Sequence, residues 1–157
     1  MWEGLQHVEW VTTLATSRPL FGLVLVVHYL AVFCCVGTIV LLDARILGVT
    51  ARDQALSALA VHLRPWIWIG LTSVVVSGFL LFTTEAGSYA AVTPFRVKML
   101  VVVLAVVSSL AIEWNVRRWD RARAMPATAR LAALISIVLW LGAMLVSVEI
   151  PALTGLG

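Results

Sequence analysis

The sequence predicts an all-α, integral membrane four-helix bundle, with a short interfacial helix before it and the N and C termini outside, on the periplasmic face. Three observations predict this. Of 157 residues, 62% are hydrophobic and 12% charged, where a soluble domain carries about 45–50% and 25%. The mean hydropathy is +1.03. Four apolar stretches approach the ~20 residues that a helix needs to cross a ~30 Å hydrocarbon layer. Half the usual charge cannot cover a water-soluble globule of this size, which disfavours a secreted scaffold, a nucleic-acid binder or a disordered tail.

The spans follow in order as one transmembrane domain over residues 1–157. The first covers about 20–42, after Arg18-Pro19, and its uncharged run ends at Asp43. The second covers about 66–83, with Pro65 at the place where a first-turn proline costs little. The third covers about 97–112, entered through Pro94 and ended by Glu113, and the fourth about 131–150, stopped by Pro151. The second and third are short for a bilayer, so their helices are expected to extend into the flanks. Residues 51–64 read as an amphipathic helix running into the second span, with Leu56, Leu59, Ala60 and Leu63 at helical spacing. The first 17 residues read as the interfacial helix, with Trp2 and Trp10 as belt aromatics. No stretch of ~10 residues alternates as a membrane barrel strand would. The first apolar run is too long for a signal-peptide core and lacks a small-residue cleavage site.

Charge sets the expected orientation. Eight of the eleven basic residues (Arg45, Arg52, Arg64, Arg117, Arg118, Arg121, Arg123 and Arg130) fall on the side of the connections between spans one and two and spans three and four. Arg18, Arg96 and Lys98 fall on the other. The positive-inside rule therefore puts those two connections in the cytoplasm and both termini outside. The same arginines account for a pI near 9.4 and a net charge of +3 by contact with anionic lipid, with no nucleic acid required. Adjacent Cys34 and Cys35 make neither a disulfide framework nor a zinc site, and no metal motif is present.

Helices in lipid are held by close packing at small residues. Gly70, Ser73, Ser77 and Gly78 in the second span, Gly37 in the first and Gly142 in the fourth are the expected packing positions.

Ionisable groups within a membrane are costly, which makes each a functional candidate. The deepest is His28, ~4–5 Å outward of the middle of the first span. It reads as an axial ligand of a b-type haem, as a proton or copper site, or as a neutral imidazole hydrogen-bonded to a serine or a carbonyl of another helix. His62 lies ~20 Å from it along the membrane normal, so the two cannot share an iron. Met144 matches the depth of His28 and is the candidate opposite ligand, with His7 or water as substitutes. Methionine also fills core gaps. Near the outer interface, Glu85, Arg96, Lys98 and Glu149 read either as a polar mouth for a quinone head group, an anion or a partner protein, or as snorkelling and helix-end pairing. At the cytoplasmic end Asp43, Arg45, Arg64, Glu113, Arg117 and Arg118 read as an ion-paired rim, level with a belt of Trp66, Trp68, Trp114 and Trp119. The sequence holds no nucleophile with a base, phosphate loop or acid pair at usable spacing, so no catalytic residue is assigned.

The segments GTIVLLDARILG (37–48), RPWIWIGLTSVVVSGFLLF (64–82), PFRVKML (94–100) and SIVLWLGAML (136–145) resemble a family of small bacterial four-span membrane proteins of unknown function. That pattern has a histidine in span one, an acid and an arginine at its end, a second span ending in Leu-Leu-Phe, and a lysine opening span three. His28, Asp43 and Arg45, Gly78 to Phe82, and Lys98 stand at those positions. Where the pattern has an arginine soon after the fourth span's Leu-Trp, this chain has Ser147-Val148-Glu149. The likeness runs from about 20 to 145 and implies a bacterial inner membrane. More distantly, the architecture is similar to cytochrome b561-like and copper-resistance D-like membrane domains in helix count and in one histidine; those cytochromes pair histidines across helices, and this sequence has no such pair. The expected function is a small subunit or accessory protein of a larger membrane complex. Its expected partners are lipid and other membrane subunits or further copies of the chain. A haem b electron-transfer subunit using His28, and a small transporter or copper-handling protein, are the alternatives.

Overall fold

A computed structural model describes residues 8–84, 86, 93–122 and 124–154, the stretch 148–154 by backbone alone. Among these residues the elements are all helical: α1 (Glu9–Thr16), α2 (Arg18–Ile46), α3 (Leu56–Thr84), α4 (Thr93–Asp120) and α5 (Ala127–Thr154). The last four are long and apolar enough to cross a membrane. The chain is a multi-pass membrane protein.

Each long helix outruns its apolar stretch. At 29 residues, α2 and α3 extend ~43 Å against a ~30 Å hydrocarbon layer, so their ends project beyond it. Helices form here because, with no water to satisfy peptide groups, only a continuous ladder of internal bonds is tolerated. Serines and threonines follow the same rule. Thr38, Ser109 and Ser147 return their hydroxyls to the carbonyls of Cys34, Ala105 and Ala143, at 2.7, 3.0 and 2.6 Å.

Two helix boundaries differ from expectation. The expected amphipathic helix 51–64 starts only at Leu56, because Gly48 (φ +77°) and Ala51 (φ +48°) turn the chain in the left-handed region first. Pro65 lies inside α3 instead of in a first turn, because the helix still begins at Leu56, ahead of the apolar span. The backbone of α5 also continues past Pro151 to Thr154.

The four long helices pack in the ring order α2–α3–α4–α5, with α5 returning to α2. Two apolar clusters fill the interior. One, near the 47–55 and 121–126 connections, joins Leu42, Ile46, Leu56, Ile112, Val116, Ala129 and Ala133. The other, mid-bundle, joins Cys35, Val36, Ile39, Ala105 and Trp140. Leu30, Phe33, Val138 and Leu145 face outward, as lipid-facing side chains do. α1 packs on α2 and α3 through buried Val11 and Leu14, while Trp10 is exposed.

Gly70 sets the tightest crossing. A Cβ there would lie 2.9 Å from Cys35 Cβ and 3.0 Å from its Cα and N, so only glycine lets α2 and α3 come this close. Gly78 is tight against the His28 ring, and Gly142 makes ordinary contact with Val101 on α4. Gly37 corrects the expected packing set: it is exposed and meets nothing within 4 Å, because it lies on the lipid side of α2.

Candidate functional site

Polar chemistry gathers at two levels of the bundle, ~22 Å apart along α2 between His28 and Asp43. At the outer level, α2 presents His28 to the serine face of α3. Its Nδ1 lies 2.9 Å from Ser77 Oγ, and Ser77 Oγ donates to the Ser73 carbonyl at 2.5 Å. A hydroxyl carries one hydrogen. Since that hydrogen goes to Ser73, Ser77 Oγ accepts from His28 Nδ1–H, and the Val74 carbonyl beside the ring is a second acceptor. In the neutral imidazole this arrangement leaves Nε2 with the free lone pair. Lys98, half-buried on α4, stands within electrostatic reach of this ring.

Met144 packs against the mid-bundle cluster of Cys35 and Trp140. Arg96 is exposed. Phe82 and Phe95 stack at 5.2 Å with 13° between their planes, which ties α3 to α4 at this end. His7, Glu85 and the side chain of Glu149 lie outside the described residues.

The inner level is the expected rim, and it divides. Arg64 Nε lies 2.5 Å from Glu113 Oε1, an ion pair between α3 and α4 that lacks hydrogen-bond alignment. Arg45 braces the start of α3, giving Nε and Nη2 to the Gln54 carbonyl at 3.0 and 2.6 Å. That contact and the bond from Arg52 to the Gly48 carbonyl brace the 47–55 connection. Arg117 and Arg118 are exposed.

Asp43 corrects the rim reading. It is 1% exposed, it faces the Ser136 hydroxyl of α5, and its Oδ2 has no hydrogen-bond partner. The reason is helical phase: Ile39, Leu42, Asp43 and Ile46 share the buried stripe of α2. Ser136 Oγ, on a residue 0% exposed, has no partner other than this carboxyl. A cavity of about 40 Å³ opens beside Asp43, lined among others by Ala60, Ser109, Trp140 and the Arg64–Glu113 pair. Such a volume holds a few waters at most. Trp140 Nε1 donates to Ser109 Oγ at 3.0 Å in the cavity wall.

Two residues had gone unmarked. Ser136 has no sequence signature, since a serine in an apolar helix ordinarily bonds back to its own backbone. Asp120 ends α4 and caps α3: its carboxylate accepts from Leu56 N–H at 2.9 Å and from Ser57 Oγ at 2.5 Å. The signal for it was the missing cap, because α3 begins after Ala55 with no capping residue of its own.

No protein-family model, no curated protein and no solved structure matches this chain. Among the described residues no three His, Cys, Asp or Glu side chains group as a metal site.

Proposed function

We propose that the protein is a small subunit or accessory protein of a larger membrane complex, in the bacterial inner membrane, with both termini outside and α1 lying in the outer interface. The observation that carries this reading is the contrast between inside and outside. The interior is closed by backbone-close packing at Gly70, the cavity beside Asp43 is about 40 Å³, and the larger recess of about 350 Å³ along Leu23, Val27, Ser73 and Ser77 opens outward between α2 and α3. The outward faces are continuous apolar surface, with Leu23, Leu30, Phe33, Val138 and Leu145 among the exposed residues. Such faces pack equally well on lipid or on neighbouring helices. The arginine asymmetry supports the orientation. The test is to tag the chain at its native expression level, extract membranes in mild detergent and identify what co-purifies. A second membrane protein in fixed ratio is the expected result; recovery of this chain alone refutes the reading.

A second reading, one haem b held through His28, draws support from the ring's hydrogen bonding. Histidine ligands commonly donate one ring N–H to a fixed acceptor and present the other nitrogen to the metal, as the Ser77 contact arranges here. His28 fits the role of one axial ligand. Met144 would have to leave the Cys35–Trp140 cluster to be the other. A Soret and an α-band in the purified protein, lost in His28→Ala, would establish this reading, and a colourless protein supplied with haem during expression would end it.

A further inference from the structure

Asp43 Oδ2 is enclosed and without a hydrogen-bond partner, and the buried Ser136 hydroxyl that faces this carboxyl has no other partner; the cavity beside Asp43 is lined mostly by apolar side chains. A bare carboxylate is not stable in such surroundings unless a positive charge joins it. The charged groups that face the same cavity are Arg64 on α3 and Glu113 on α4, and these are paired with each other. On α2 itself, Arg45 is engaged with the Gln54 carbonyl. Among the described residues no unpaired positive charge faces Asp43, so an ion from solution is the available counter-charge.

We propose that Asp43 and Ser136 form a binding site for an exchangeable monovalent cation, either a proton or a sodium ion. The carboxylate supplies the charge and one oxygen. The Ser136 hydroxyl supplies a second oxygen to a metal ion, or accepts the hydrogen bond of a protonated Asp43. The cavity beside Asp43 has room for the one or two waters that complete either arrangement. Its volume of about 40 Å³ restricts the ligand to a small ion. The exchange route runs past Arg64 and Glu113, which line the same cavity and reach its exposed end, with the Arg64 side chain 63% exposed. This site stands independently of the subunit reading, since it rests on the interior of one chain.

Dicyclohexylcarbodiimide reacts with protonated carboxyls in apolar surroundings and tests the site in the intact protein in detergent or vesicles. Mass spectrometry of the labelled chain locates the adduct. The expected result is modification at Asp43 that becomes faster as pH falls and is absent from Asp43→Asn. Ser136→Ala, which removes one oxygen and little volume, is expected to change the labelling rate at fixed pH. Slowing by sodium chloride but not by choline chloride identifies sodium as the ligand, whereas equal rates in the two salts identify the proton. An Asp43 that stays unlabelled at every pH while the protein remains folded overturns the proposal. So does labelling at Asp43 whose rate ignores pH, sodium and Ser136→Ala alike.

Discussion

Replacing Gly70 by alanine tests the packing that everything else depends on. The added Cβ would stand 2.9 Å from Cys35 Cβ and 3.0 Å from its Cα and N, against the ~3.5–4.0 Å at which carbon atoms are comfortable. Two of the three atoms it meets are backbone, so no rotamer change relieves the overlap, and α2 and α3 must separate by roughly 0.6–1 Å. A gap of that size forfeits about a quarter to a half of each dispersion contact in the seam. Overpacking costs about 1–3 kcal/mol, and the rigid neighbours place this case near the upper figure. Alanine's better helix propensity returns about 1 kcal/mol. The net loss is about 2 kcal/mol, which lowers Tm by roughly 4–8 °C for a chain of this length. Cys35 is itself the reporter, being fully buried at the site of the change. In a Cys34→Ser background, a fluorogenic maleimide follows its exposure during heating. Gly37→Ala is the control, since nothing lies within 4 Å of its Cβ, and its Tm should hold or rise. Equal stability of Gly70→Ala and the parent, or an equal loss in Gly37→Ala, would refute the reasoning.

Other substitutions follow from the same contacts. Ser77→Ala removes the acceptor of His28 Nδ1–H and should cost about 1–3 kcal/mol. The same change in a His28→Phe background should cost little, so a double-mutant cycle in detergent checks the pairing. Asp120→Asn weakens the only cap recorded at the start of α3 among the described residues. A loss of about 0.5–2 kcal/mol should appear as faster amide hydrogen exchange at Leu56 and the residues after it. Arg64→Ala breaks an ion pair whose arginine is 63% exposed, and the change in stability should not exceed about 1 kcal/mol. Trp140→Phe loses the Nε1 bond to Ser109. About 0.5–1.5 kcal/mol of stability should go with it, read by thermal unfolding.

Span number was legible because twenty apolar residues in a row have one economical solution in a bilayer. Which face of each span turns inward was not. α2 is apolar all round, so its periodicity carries no signal of the buried side, and Gly37 and Gly70 look alike in the sequence while only Gly70 meets another helix. The same ambiguity hid the inward turn of Asp43. An aspartate at the end of a span, followed by Arg45, reads as a surface ion pair until the phase set by Ile39, Leu42 and Ile46 is known. His28 was marked by its cost in lipid, and a serine was among its expected partners, but which one depended on the register of α2 against α3 at Gly70. Asp120 and Ser136 act across helices far apart in sequence, and no local pattern encodes such contacts.

Among the described residues two polar positions stand out within the bundle, half-buried His28 on Ser77 and buried Asp43 by Ser136, between two apolar clusters. The cavity at Asp43 is about 40 Å³, whereas a more open recess of about 350 Å³ lies beside Ser77, the partner of His28, between α2 and α3 and lined mostly by apolar side chains. The greater part of the molecule's surface is apolar helix face, and what those faces touch in the native membrane decides the role of the chain.

The measurement that bears most directly on that role is the mass and composition of the particle carrying the chain when native membranes are dissolved gently. A subunit should run far above a 17.1 kDa chain in its detergent belt and hold a second membrane protein in constant ratio. A particle containing one or several copies of this chain and no other protein would contradict the proposed function.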